Sequence, residues 1–227
     1  MQITEVADAI RRGDVSDVEQ FLQANPTAVS ARVDGQRTWL HVATDWPGHF
    51  PKVRETIHAL IARGAAPNAT FHGHHGETPL HWAASSDDLP ALDALLDLGA
   101  DIESPGSVID GGAPLSDAVA FRQWRTARRL IARGARATLW HSAALGLMDR
   151  LRSHFSPASN PPIEAVTNAF WNACNGGQWE AAQFLLARGA DLNWVGHDGM
   201  TPLNVAARSG NAVLVEWLRN QGSTSSS

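Results

Sequence analysis

The chain is poor in several residues on which common chemistries depend. It has one cysteine, Cys174, in 227 residues. A single thiol excludes an internal disulfide and suits a reducing cytoplasm. Tyrosine is absent, and Lys52 is the sole lysine, so nearly all of the basic charge is arginine. That usage is what a GC-rich bacterial genome produces. No apolar run approaches the ~20 residues needed to span a bilayer. The opening Met1-Gln2-Ile3-Thr4-Glu5 lacks the basic and apolar regions of a signal peptide. A cytoplasmic protein without membrane contact is expected. The net charge of −5 and pI of about 6.0 leave no electrostatic footprint for nucleic acid. There is no Gly-rich phosphate loop, Cys-x-x-Cys pair or nucleophile elbow, and no cofactor is expected.

What is present is repetition, together with nine tryptophans and ten histidines. The clearest unit is Gly76-Glu77-Thr78-Pro79-Leu80-His81-Trp82-Ala83-Ala84. Thr78 can cap the helix that follows, and Pro79 suits its first position, where no N–H is needed. The paired alanines let helices approach closely. Thr38-Trp39-Leu40-His41-Val42-Ala43 and Thr201-Pro202-Leu203-Asn204-Val205-Ala206-Ala207 repeat the pattern. Ala113-Pro114-Leu115-Ser116-Asp117-Ala118, Thr138-Leu139-Trp140-His141-Ser142-Ala143-Ala144 and Asn168-Ala169-Phe170-Trp171-Asn172-Ala173-Cys174 are degenerate copies. A second signature closes the units, as in Leu60-Ile61-Ala62-Arg63-Gly64-Ala65, Leu130-Ile131-Ala132-Arg133-Gly134-Ala135 and Leu185-Leu186-Ala187-Arg188-Gly189-Ala190. Glycine there fits a left-handed helix end.

This pair of signatures at a period in the low thirties resembles the ankyrin repeat family. The resemblance implies an all-α solenoid of six or seven stacked helix–turn–helix units with short β-hairpin fingers, forming one domain over 1–222. Residues 1–33 read as an N-terminal capping repeat, with Ala7, Ile10, Val18, Phe21 and Leu22 as its apolar stripe. Residues 198–222 read as the C-terminal capping repeat and 223–227 as a flexible tail. The Asp45–Pro51 stretch inserts a loop between the helices of the second unit, and a Ser/Pro/Asn segment from Ser156 to Pro162 replaces a finger. The arginines from Arg122 to Arg133 read as a solvated outer face. Trp124, Trp179 and Trp217 read as packing residues and Cys174 as buried.

Resemblance also implies which side chains face the concave groove. They are Arg37, Asp45, Trp46, His74, His75, Glu77, Trp82, Ser85, Asp117 and Phe121. Trp46, Trp82 and Phe121 come from three successive units and form one aromatic patch ringed by ionisable groups. Exposed tryptophan is a typical interface anchor. The implied function is a monomeric binding scaffold that holds a partner protein in this groove. His41, His81 and His141 fill the family's structural histidine position. The alternative is a small-molecule site or enzyme doing acid–base chemistry on a hydrophobic substrate. Its candidate catalytic groups are Asp117, Asp45, Glu77, His74 and His75, with Trp and Phe as walls. It requires an enclosed pocket of at least ~300 Å³ touching Asp117 and Trp82. His72 and His74, spaced for one face of a strand, are the weak metal candidates, since zinc wants three or four convergent ligands.

Overall fold

The computed structural model describes residues 2–156 and 160–225. It divides into two compact units, Met1–Ala135 and Arg136–Ser227. Among the described residues both are built from helix pairs joined by turns, and no helix is long and apolar enough to cross a membrane.

In the first unit the pairs are α1 (Ile3–Arg12) with α2 (Val15–Ala24), α3 (Trp39–Thr44) with α4 (Val53–Ala62), α5 (Pro79–Ser85) with α6 (Leu89–Asp97), and α7 (Pro114–Ala120) with α8 (Trp124–Ala132). The first helices stack in one row, α1 on α3 on α5 on α7. The second helices stack in another, α2 on α4 on α6 on α8. Helices of six or seven residues are too short to persist alone. Here they are held by caps and burial: every residue of α3 is buried, and α5 leaves only Trp82 and Ser85 partly open. The alanines of the motif, Ala83 and Ala84 among them, are fully buried and set the close spacing of the row. In the capping repeat Ala7, Ile10, Val18 and Leu22 are buried, while Phe21 is only half-buried.

The motif histidines act as pegs between repeats. The Thr78 backbone N–H donates to Nδ1 of His81 at 3.0 Å. Nδ1 is therefore an acceptor, and the proton sits on Nε2, which donates to the Gly112 carbonyl at 3.3 Å. His41 repeats the arrangement one unit earlier, accepting from Thr38 and donating to the Glu77 carbonyl at 3.1 Å. Burial holds both imidazoles neutral and pushes each down to about 4.

The fingers expected as β-hairpins are closed by a few backbone bonds and turns. Val33 and Arg37 form one isolated antiparallel bridge. Phe71 N–H donates to Glu77 O at 2.7 Å, and Ser107 N–H to Gly112 O at 3.0 Å. The helix-ending glycines Gly64, Gly99 and Gly134 have φ of 99, 92 and 102°, as a left-handed cap requires.

The second unit contains α9 (Leu139–Leu145), α10 (Met148–Ser153), α11 (Ile163–Asn175), α12 (Trp179–Leu186), α13 (Pro202–Ser209) and α14 (Ala212–Asn220). α11 packs between α9 and α13. It begins at Ile163 instead of at the motif residue Asn168, because Ile163 to Thr167 contains no turn residue and simply extends the helix. Trp171 stands where the motif has histidine, and its indole N–H donates to the Met200 carbonyl at 2.8 Å. That carbonyl precedes Thr201 just as Glu77 precedes Thr78, so the peg survives with a different ring. Cys174 is fully buried and its thiol is pushed up by burial, which leaves it inert. Trp179, expected in the packing, is 41% exposed instead. Ser223 and Thr224 are bonded to Leu192 and Asn193. Within the expected tail Ser226 and Ser227 lie outside the described residues, as do residues 157–159 of the Ser/Pro/Asn segment.

The arginine face of α8 is tied to the preceding repeat. Arg129 donates to Asp93 at 2.7 Å, and Arg133 to Asp93 at 3.2 Å and to Asp97 at 2.7 Å. Arg125 lies 3.5 Å from Asp87. Asp93 is 13% exposed and takes two guanidinium groups, whereas Asp97 is half-exposed. Asp93→Asn is expected to lower urea-unfolding stability by about 1–2 kcal/mol. Asp97→Asn should cost less than about 0.5 kcal/mol. Equal costs would mean that burial of the ladder does not set its strength.

Candidate functional site

The inserted loop between α3 and α4 is held in place by the next repeat. Asp88 is fully buried and caps α6 by accepting from the Ala91 N–H at 3.1 Å. Its other oxygen accepts from the His49 N–H at 2.6 Å. The His49 ring meets the Ser86 carbonyl at 3.0 Å. Gly48 has φ of 72°, and a Cβ there would lie 2.9 Å from Ser86 Oγ, so the loop presses directly on the start of that repeat's turn. Trp46 stands out from this anchored loop, 83% exposed. Beside it Asp45 pairs with Arg37, which also reaches Asp34 at 2.7 Å, and Arg11 lies 3.8 Å from Asp45. The charge of Asp45 is thereby answered.

The other half of the site comes from the finger and first helix of the following repeat. Trp82 packs edge-on against His41, with centroids 4.9 Å apart, and against Phe71 at 5.4 Å. Its indole N–H donates to the Glu77 carboxylate. Glu77 is half-buried, and burial raises its pKa against the opposing effects of that bond and of the His75 ring. Phe121, just past the end of α7, is 47% exposed.

These groups meet around one cleft of about 190 Å³. Asp45, Trp46, Glu77, Trp82, Ser85 and Phe121, all named from sequence, line it together with Thr44, Ser86 and Val108. The remaining sequence candidates stand elsewhere. Arg37 supports Asp45 from behind. His72, His74 and His75 are exposed on their finger and do not line the cleft. Among the described residues no three His, Cys, Asp or Glu side chains come together as a metal site, so His72 and His74 find no third ligand.

Asp117 departs most from its expected place. It is fully buried on α7 and does not line the cleft. Its Oδ1 accepts from the Ser107 hydroxyl at 2.7 Å, and the Val108 N–H approaches it, so it ties the finger to the helix. Its Oδ2 has no hydrogen-bond partner. Burial pushes Asp117 up to about 7, with the negative charges of Glu77 and Asp110 adding to the rise. The supporting residues Asp88, His49 and Ser107 escape a sequence reading. Asp88 carries a signal, since Asp before Leu89-Pro90 marks a helix start, but nothing in the sequence links it to a loop 39 residues earlier.

A family model described as ankyrin repeats, in three copies, matches residues 139–226, and an ankyrin repeat model matches residues 75–104. Together they span just over half of the chain. The chain belongs to the ankyrin repeat family. The three-copy match falls on the stretch whose motifs are the most degenerate, where Trp171 preserves the histidine's bond. Among solved structures, the crystal structure of the human ASB11 ankyrin repeat domain is similar with a TM-score of 0.56. It is 18% identical and covers 94% of this chain and 96% of its own. No curated protein sequence matches.

The buried groups around this ankyrin site give it a defined pH response. His41 and His81 bind protons more weakly when folded, so their stability contribution is present above pH 6.5 and lost as pH falls toward 4. Asp117 works in the opposite sense. Its folded form holds a proton between 3.8 and about 7, so its contribution is present below 3.8 and lost as pH rises through 7. Asp117→Asn removes the second effect alone. Urea melts are expected to show the variant's advantage over the parent growing between pH 4 and pH 8, to on the order of 2–4 kcal/mol. An advantage independent of pH would mean that Asp117 is not proton-linked.

Proposed function

We propose that the protein is a binding scaffold whose Trp46–Trp82–Phe121 cleft anchors a partner protein. Ankyrin repeats generally mediate protein–protein binding. The observation that carries the reading to this cleft is Trp46. A large aromatic side chain 83% exposed on a loop pinned by a fully buried carboxylate is a preorganised anchor. Phe121 adds a second exposed ring, and Trp82 provides a partly buried one between them.

Size favours a partner's side chain over a free small molecule. The cleft of about 190 Å³ is below the ~300 Å³ at which ligand pockets begin. Asp117, the strongest candidate base of the enzymatic alternative, is walled off beneath the finger, where a substrate in the cleft does not reach it. A cleft of this volume takes one projecting side chain while the exposed rings cover its neighbours.

Selection of random peptides displayed on phage against the whole chain tests the proposal. Peptides that recognise the cleft are expected to bind Trp46→Ala and Trp82→Ala at least tenfold more weakly, a loss of ~1.4 kcal/mol or more, as for a buried aromatic anchor. The thermal midpoint of Trp46→Ala should stay unchanged, because that ring buries little in the free protein. Selected peptides that bind both variants as tightly as the parent would sink this reading.

A further inference from the structure

The charges around the cleft are not balanced. On one side Asp45 is answered by Arg37 and Arg11. On the other side Glu77 faces the cleft, and its partner is the neutral Trp82 indole. Behind it Asp117 is fully buried with one oxygen unpaired, and Asp110 is occupied by the Gly112 N–H of its own finger and the Ser116 hydroxyl of α7. The basic group acting on Glu77 is the His75 ring on the exposed finger. Burial raises both Glu77 and Asp117, and no arginine or lysine is paired with either carboxylate among the described residues.

An occupant of this cleft displaces the water that still solvates Glu77. An aliphatic side chain would leave that carboxylate desolvated and unpaired, which is among the costliest things binding can do. A cation reverses the sign of the effect. It pairs with Glu77, and it is attracted to the faces of exposed aromatic rings. Among protein cations the guanidinium suits the site better than the ammonium. It is planar, stacks on aromatic rings, is more weakly hydrated and presents parallel N–H donors to a carboxylate.

We infer that the cleft receives an arginine side chain of the partner protein, its guanidinium paired with Glu77 and stacked on the Trp46 and Phe121 rings. The inference rests on reading this cleft as the partner-binding site and adds the chemistry of the residue bound there. Asp45, already paired, orients the Trp46 wall and is not the main counter-ion.

The test follows the indole N–H resonances of the whole chain by NMR, assigned through Trp46→Phe and Trp82→Phe. The Trp82 N–H is the direct reporter, because it is bonded to Glu77. The probes are capped tripeptides, Gly-Arg-Gly, Gly-citrulline-Gly, Gly-Lys-Gly and Gly-Leu-Gly. The expected result is a saturable shift of Trp46 and Trp82 with the arginine peptide and at least a fivefold weaker response to the uncharged isostere citrulline. Glu77→Gln, which keeps an oxygen for the Trp82 indole, should lower the arginine response by at least fivefold. On the parent chain the response should fall between 50 and 500 mM salt, which tests the ion pair even where the variant fails to fold. Citrulline or leucine binding as well as arginine overturns the inference, and lysine binding as well overturns the assignment to guanidinium. If phage selection yields cleft-binding peptides without arginine, this inference fails while the scaffold reading stands. If selection yields no peptide sensitive to Trp46→Ala, the scaffold reading fails first.

Discussion

The bond from a buried, neutral imidazole to a carbonyl of the next repeat is the constraint on which the site depends. His41 donates to the Glu77 carbonyl and His81 to the Gly112 carbonyl. Each bond fixes the height of a finger relative to the helix before it. The His41 bond sets where Glu77 begins, and the same ring packs against the edge of Trp82. Glu77 and Trp82 then bond to each other. A residue whose work is structural thus determines the geometry of two that line the cleft. The requirement is a donor at that position, not histidine itself. Trp171 meets it with an indole, reaching the equivalent Met200 carbonyl. Asn204 meets the local half, accepting from the Thr201 N–H at 3.0 Å.

Much of this was legible in the sequence because a repeat separates two kinds of position. The motif residues Thr78, Pro79, Leu80, Ala83 and Ala84 repeat because every unit must solve the same packing problem. The positions that the motif leaves free are the ones that differ, and Trp46, Glu77, Trp82, Ser85 and Phe121 were found that way. They meet at one cleft because successive units stack in register. Legibility ended where the physics was not periodic. Asp88 holds His49 across two repeats through a bond that no spacing rule encodes. The Ile163–Asn175 helix outran its motif because nothing in its first turn breaks a helix.

Asp117 marks a different limit. Its motif position lies next to the core alanines, and a carboxylate there suggested a reactive group at the surface of the groove. The structure gives it the burial that its position demands and bonds it to Ser107 on the finger. A raised proton affinity and a functional role are separate matters, since a buried structural carboxylate acquires the first without the second.

The same residue still bears on the cleft. Ionised Glu77 adds to the negative potential at Asp117 and helps it hold its proton. An uncharged occupant leaves that potential in place, whereas a cation paired with Glu77 offsets it. His41 and His81 are held neutral by burial, so the pegs themselves add no charge beside the cleft. Neutral pegs beside an under-compensated Glu77 leave the sign of that carboxylate to select the partner.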